Sequence, residues 1–228
     1  EFGWPLTELG RIRFRKGDLQ GAEDAFLAAH EAGWDPQPGL ALVHLARGDI
    51  ARAVASIHEG LDRPSTIPSK EWPPNTDLRR VPLLEAQVEI EIAAGDLVQA
   101  RSAAEELGRV ASLFQSRTFA ASATLAHGRV RLAEGNTAAA SRAFETAAQQ
   151  WGDIGAPYET ALARMGLANA LRAEGKEERA LLEFRAARAT FARVGTIYQD
   201  SRAAQACSEV APTRQAQLPP PTDARLGD

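Results

Sequence analysis

Cysteine is almost missing from this 228-residue chain, and Cys207 stands alone. A single cysteine excludes an internal disulfide and fits a reducing compartment such as the cytoplasm. In a helical setting it reads as a small apolar residue rather than a nucleophile. No apolar run approaches the length of a membrane span and no signal peptide is visible, so neither membrane nor secretion is indicated. Methionine occurs once, at Met165, and the missing initiator predicts a piece of a longer protein. Basic charge is not in excess: 26 Lys and Arg face 30 Asp and Glu, for a net charge of -4. Such a chain has no positive field, and direct nucleic-acid binding is not expected. The four histidines, His30, His44, His58 and His127, include no i, i+4 pair and have no cysteine at a zinc spacing, so no metal site is predicted. No G-x-x-x-x-G-K-[ST] loop and no Ser/His/Asp or Cys/His arrangement occurs, which leaves no cofactor and no catalytic residue to name.

What is present is a repeat. "EGNTAAASRAFETAA" at 134–148 returns forty residues later as "EGKEERALLEFRAAR" at 174–188. A glycine followed by a polar residue recurs at Gly17, Gly48, Gly95, Gly135 and Gly175, at spacings of 31, 47, 40 and 40. Five residues after each stands alanine: Ala22, Ala53, Ala100, Ala140, Ala180. Nine residues after it stands Phe26, Ile57, Ala104, Phe144 or Phe184. Seven before it stands a residue that is usually small: Gly10, Ala41, Val88, Gly128 or Ala168. Periods of this size mark a solenoid of stacked supersecondary units. Glycine suits the left-handed residue that ends one helix, and the Asp or Asn after it suits the N-cap of the next. Each unit is therefore two antiparallel helices on a short turn. The alanine and the Phe or Ile, four apart, share one face of the second helix. The pattern predicts close packing at Ala140 and Ala180, not chemistry.

These residues resemble the tetratricopeptide repeat. "LTELG" (6–10) with "GDLQGAEDAF" (17–26), and likewise "GNTAAASRAF" and "GKEERALLEF", are similar to its Leu-x-x-Leu-Gly first helix and Ala-x-x-x-Phe second helix. The likeness spans roughly 4–209. It departs in lacking most first-helix aromatics and in a C-terminal period of 40, a spacing shared with HEAT-like arrays. The resemblance implies an all-α, right-handed superhelical solenoid of about five hairpins. "GAPYETALARMGLANALRAEGKEERALLEFRAARATFARVG" (155–195), "GWDPQPGLALVHLARGD" (33–49) and "LLEAQVEIEIAAGD" (83–96) further resemble the helical-repeat region of large actinobacterial LuxR-type and ATP-dependent transcriptional regulators. That likeness implies an interaction or sensing segment of a bacterial regulator.

Helices are predicted near 5–16, 19–32, 38–47, 50–61, 77–94, 97–109, 115–134, 137–151, 157–174, 177–193 and 196–209. "GAPYET" (155–160) and "GTIYQD" (195–200) lie one period apart, so the last helix opens a sixth repeat and caps the array. The domain is set at 1–209. The proline-bearing stretch 63–75 is read as an inserted loop, and 210–228 as a Pro-rich tail or linker.

In a tetratricopeptide solenoid the first helices line the concave side. Carried over by that register, the groove set is Trp4, Arg11, Phe14 and Arg15; Leu42 and Leu45; Glu85, Glu89 and Ile92; Leu125, Arg129 and Leu132; Met165, Asn169 and Arg172. It mixes apolar residues with both charge signs, as a peptide groove would. Glu85 and Glu89, four apart, also share a face that would suit an acid/base pair or a cation site, against the plainer reading of a solvated stripe. Three functions remain open. An interaction module binding a protein, a peptide or another domain of the same regulator would have an open groove. A small-molecule effector sensor would have a pocket with converging polar groups such as Arg11, Arg15 or Arg129. An enzyme would need paired titratable groups within hydrogen-bond reach, and the sequence offers no support for one. Oligomeric state is not legible.

Overall fold

The structure, a computed structural model, describes residues 3–62 and 77–210. Among them there are eleven α-helices and no strand: α1 (Gly3–Arg15), α2 (Leu19–Glu31), α3 (Gly39–Ala46), α4 (Ile50–Asp62), α5 (Asp77–Ala94), α6 (Leu97–Phe114), α7 (Arg117–Ala133), α8 (Thr137–Ile154), α9 (Pro157–Ala173), α10 (Glu177–Val194) and α11 (Ile197–Val210). They pair as five hairpins, α1–α2 to α9–α10, followed by α11 packed on α10. The protein is an all-helical solenoid. The inserted loop at 63–75 and the tail from 211 onward lie outside the described residues. Val210, assigned to the tail by sequence, instead completes α11 and is buried.

The turns follow from their residues. Gly17, Gly48, Gly95, Gly135 and Gly175 all have φ between 75° and 81°, the left-handed region that glycine enters without a Cβ penalty. The next residue then caps the following helix. Asp18, Asp49, Asp96 and Asn136 accept from the backbone N–H three residues on, satisfying a donor that has no partner inside the helix. Lys176 holds the same place without a side-chain cap bond.

Between hairpins the packing is one of complementary sizes. Phe26 of α2 lies against two glycines: a Cβ added to Gly10 of α1 would come within 2.7 Å of its ring, and one on Gly39 of α3 within 2.2 Å. Phe144 of α8 repeats the arrangement, with 2.8 Å to Gly128 of α7 and 2.4 Å to Gly166 of α9. Phe184 of α10 shares a buried cluster with Ala168 of α9 and Ala206 of α11. The third hairpin exchanges the sizes, with Val88 on its first helix and Ala104 on its second, both fully buried. The combined volume is what the interior requires, whichever helix supplies it. Ala22, Ala53, Ala100, Ala140 and Ala180 are all inaccessible to solvent, as the pattern predicts.

Two helix ends differ from expectation. α6 runs to Phe114 rather than 109, and α8 to Ile154 rather than 151. Helices α8 and α10 end at left-handed Gly155 and Gly195, forty residues apart, but the equivalent end of α6 is Gln115, at φ 47°. A non-glycine residue in that conformation leaves no mark in the sequence.

Helices α1, α3, α5 and α7 each touch the next odd-numbered helix, and α9 reaches α11 through the Arg172–Glu209 ion pair. They therefore form the inner, concave layer, with the even-numbered helices outside. The array also curves far enough that α1 touches α11. The ends meet, and the open groove expected of an interaction module is bounded on that side.

Candidate functional site on the inner face

The forty-residue period builds a polar row on the inner helices. Six residues before each turn glycine stand Glu89 on α5, Arg129 on α7 and Asn169 on α9, with Glu209 on α11 one period further. Arg129 and Glu89 form an ion pair at 2.6 Å. Arg172, three residues beyond Asn169, reaches Glu209 at 2.9 Å and donates to Asn169 at 3.4 Å. Its guanidinium also lies 5.8 Å from the Phe184 ring centroid. Several inner charges are thus joined to one another across neighbouring helices. Partly exposed pairs of this kind add little stability, roughly 0–1 kcal/mol each, but they fix where the charges stand.

Glu85 lies one turn from Glu89. It is half-buried, and burial pushes its carboxyl above the ordinary range, with Glu89 and Glu159 adding to the rise. A hydrogen bond with Ser122 and the nearby charge of Arg129 act the other way. Tyr158, at the start of α9, is also pushed up by burial. Its hydroxyl is hydrogen-bonded to Gln199 and feels Arg15, Glu89 and Glu159. Arg15, from the far end of the chain, places its guanidinium 4.5 Å from the Tyr158 ring centroid.

The sign of the Glu85 effect can be worked out. The folded chain holds a proton on Glu85 more readily than the unfolded chain does, so it binds more protons just above the ordinary carboxylate pKa. The group's contribution to stability is then lost as pH rises through that window. Replacing Glu85 by Gln removes this dependence. The expected result is a melting temperature above the parent's at pH 8 and equal to it below about pH 4, where both states of the parent carry a neutral carboxyl. The same difference at both pH values, measured by circular dichroism, would contradict a desolvated carboxylate here.

The groove set divides in four. Glu85, Glu89, Arg129, Asn169 and Arg172 belong to the polar network. Leu125 is core, and Leu42, Leu45, Ile92, Leu132 and Met165 pack against core clusters. Trp4 is exposed, and Arg11 is paired with Glu8 on its own helix. Phe14 and Arg15 lie at the meeting of the chain ends, with Phe14 packed 5.2 Å from the Tyr198 ring. Sequence reasoning did not select Ser122, Tyr158, Glu159, Tyr198, Gln199 or Glu209. A signal was there: Tyr158 and Tyr198 stand one period apart in "GAPYET" and "GTIYQD".

His44 is buried, and burial lowers its pKa. His58 meets the buried carboxylate of Glu91 at 2.6 Å, across the α4–α5 junction. Among the described residues, no group of three or more His, Cys, Asp or Glu is arranged to hold a metal ion. None of the described helices is long and apolar enough to cross a membrane.

With this geometry in view, the hairpins can be compared with known proteins. Residues 125–193 match the tetratricopeptide repeat family. The matched span runs from within α7 to within α10, across the two units that repeat at forty residues. No curated protein matches the chain. Among solved structures, BtubC (BKLC) from P. vanneervenii is similar at 13% identity and a TM-score of 0.46, over 95% of this chain and 90% of that one. A tetratricopeptide repeat protein from Parabacteroides merdae ATCC 43184 is similar at 16% identity and a TM-score of 0.31, over 91% of this chain and 98% of that one.

Proposed function

We propose that the chain is a protein–protein interaction module, and that its inner face takes up a polypeptide segment or another domain of the same protein. The observation that carries this reading is the inner row, where Glu89, Arg129, Arg172 and Glu209 hold charges of both signs in fixed places and Asn169 accepts from Arg172. A tetratricopeptide-type array exposes such a row along one continuous surface, which suits an elongated partner bearing both charges. The finer context is a cytoplasmic bacterial transcriptional regulator. It is supported by the likeness of 33–49, 83–96 and 155–195 to regulator repeat regions and by the solitary Cys207.

The test keeps the fold and changes the pattern. Exchanging the pair, Arg129→Glu with Glu89→Arg, retains an ion pair between α5 and α7 but reverses its direction. The double variant is expected to melt within about 1 kcal/mol of the parent and to lose the partners that the parent recovers from its native host by pull-down and mass spectrometry. Recovery of the same partners in the same amounts would exclude this row as the binding determinant.

A further inference from the structure

The contact between the two ends of the array is thin and differs in kind from the contacts between hairpins. Adjacent hairpins bury whole aromatic and aliphatic side chains such as Phe26, Phe144 and Phe184. The ends meet instead through a few partly exposed groups at the close of α1. Phe14 packs on Tyr198 of α11 at 5.2 Å with the rings tilted by 45°. Arg15 lies over Tyr158 of α9 at 4.5 Å. A Cβ added at Gly17 would lie 4.0 Å from the Tyr198 backbone nitrogen. Arg202 lies 5.8 Å from the centroid of the same Tyr198 ring. Arg15 is exposed, and Phe14, Tyr158 and Tyr198 are only half-buried.

We propose that this contact is a latch that closes the array on itself and opens by movement of the first hairpin. Three observations support this. In a solenoid each unit is held by its neighbours, so a contact between first and last elements is not needed for the fold. Rings and a guanidinium that remain partly wet form individually weak interactions. The first hairpin also has a small cluster of its own, in which Ala22 and Phe26 meet Val43 of α3, separate from that of Ala41, Ala53 and Ile57. Joining the two is α3, the shortest helix, with 8 residues. With the latch closed, an extended segment reaches the inner face only along the axis of the ring. With it open, the segment enters from the side. Tyr158 lies between the two regions, with Arg15 of the latch over its ring and Glu89 of the inner row near its hydroxyl.

The experiment reads the distance between the ends and needs no partner, so it stands apart from the binding test. Cys207 is replaced by Ser. Spin labels are placed on Ile12→Cys and Arg193→Cys, both exposed positions on the first and last hairpins, and the distance distribution is measured by pulsed electron resonance. The parent is expected to give one narrow distribution. Arg15→Ala, and separately Tyr198→Ala, should each shift it to longer, broader values while the helical content stays unchanged. Using one variant from each side of the contact guards against local unfolding in either. A parent distribution already broad, or variants that both match the parent, would overturn the latch.

Discussion

Replacing Phe144 by Ala is expected to lower the free energy of unfolding by about 3–5 kcal/mol, the range for removing a buried aromatic ring. The ring is 1% exposed and is faced from both sides by glycine, Gly128 on its own hairpin and Gly166 on the next. Neither glycine has a side chain that can swing into the space. The cavity stays open, and the cost falls toward the upper end of the range. The loss also spreads, because the same ring ties the fourth hairpin to the fifth. Leu182→Ala is the comparison: that side chain is 63% exposed on α10, and its removal should stay within about 0.5 kcal/mol of the parent. Urea unfolding of the three chains decides the matter. A Phe144 variant within 1 kcal/mol of the parent would mean that the ring is not the interlock between hairpins.

Truncation after Gly195, which removes α11, should be comparably severe. Phe191, Ala187 and Ala161 are fully buried in a cluster completed by Ala203 of α11, and Ala206 and Val210 extend the cluster around Phe184. Tyr158 meets Phe191 edge-on at 5.8 Å in the same region. Uncovering one large aromatic and the alanines beside it forfeits on the order of 3–5 kcal/mol at the usual transfer values. The exposed face would also promote association. Truncation after Val210 leaves every described contact of α11 in place, and that chain should melt close to the parent. Equal melting temperatures for the two truncations would show that α11 is not a cap.

Much of this architecture was legible because it is local. A glycine that must take positive φ, an Asp or Asn that caps, and an alanine four residues before a phenylalanine all act within one hairpin. Their spacing located the ten hairpin helices, and the return of "GAPYET" as "GTIYQD" located α11. The missed end of α6 has a local cause too: Gln115 does by strain what Gly155 and Gly195 do freely, whereas the end of α8 was marked in the sequence by Gly155. The inner face was only partly legible. The register places a residue on a helix face, but the depth of the neighbouring helix decides whether that face is core or surface. Leu125 and Arg129 lie one turn apart on α7, yet Leu125 joins the core while Arg129 pairs with Glu89. The meeting of Phe14 with Tyr198 was not legible at all. It depends on the rotation accumulated over five hairpins, a sum to which every junction contributes and which no single motif records.

That sum has a consequence for how the chain can change. An open array can gain or lose a unit and remain an array, since every unit needs only its neighbours. Here the rotation from α1 onward brings α11 into contact with α1 after five hairpins. A duplicated hairpin anywhere between them would carry Tyr158 and Tyr198 past Phe14 and Arg15, and a deleted one would stop them short. Copy number, which solenoids usually leave free to drift, is constrained in this chain by the closing contact, although the hairpins themselves would still stack.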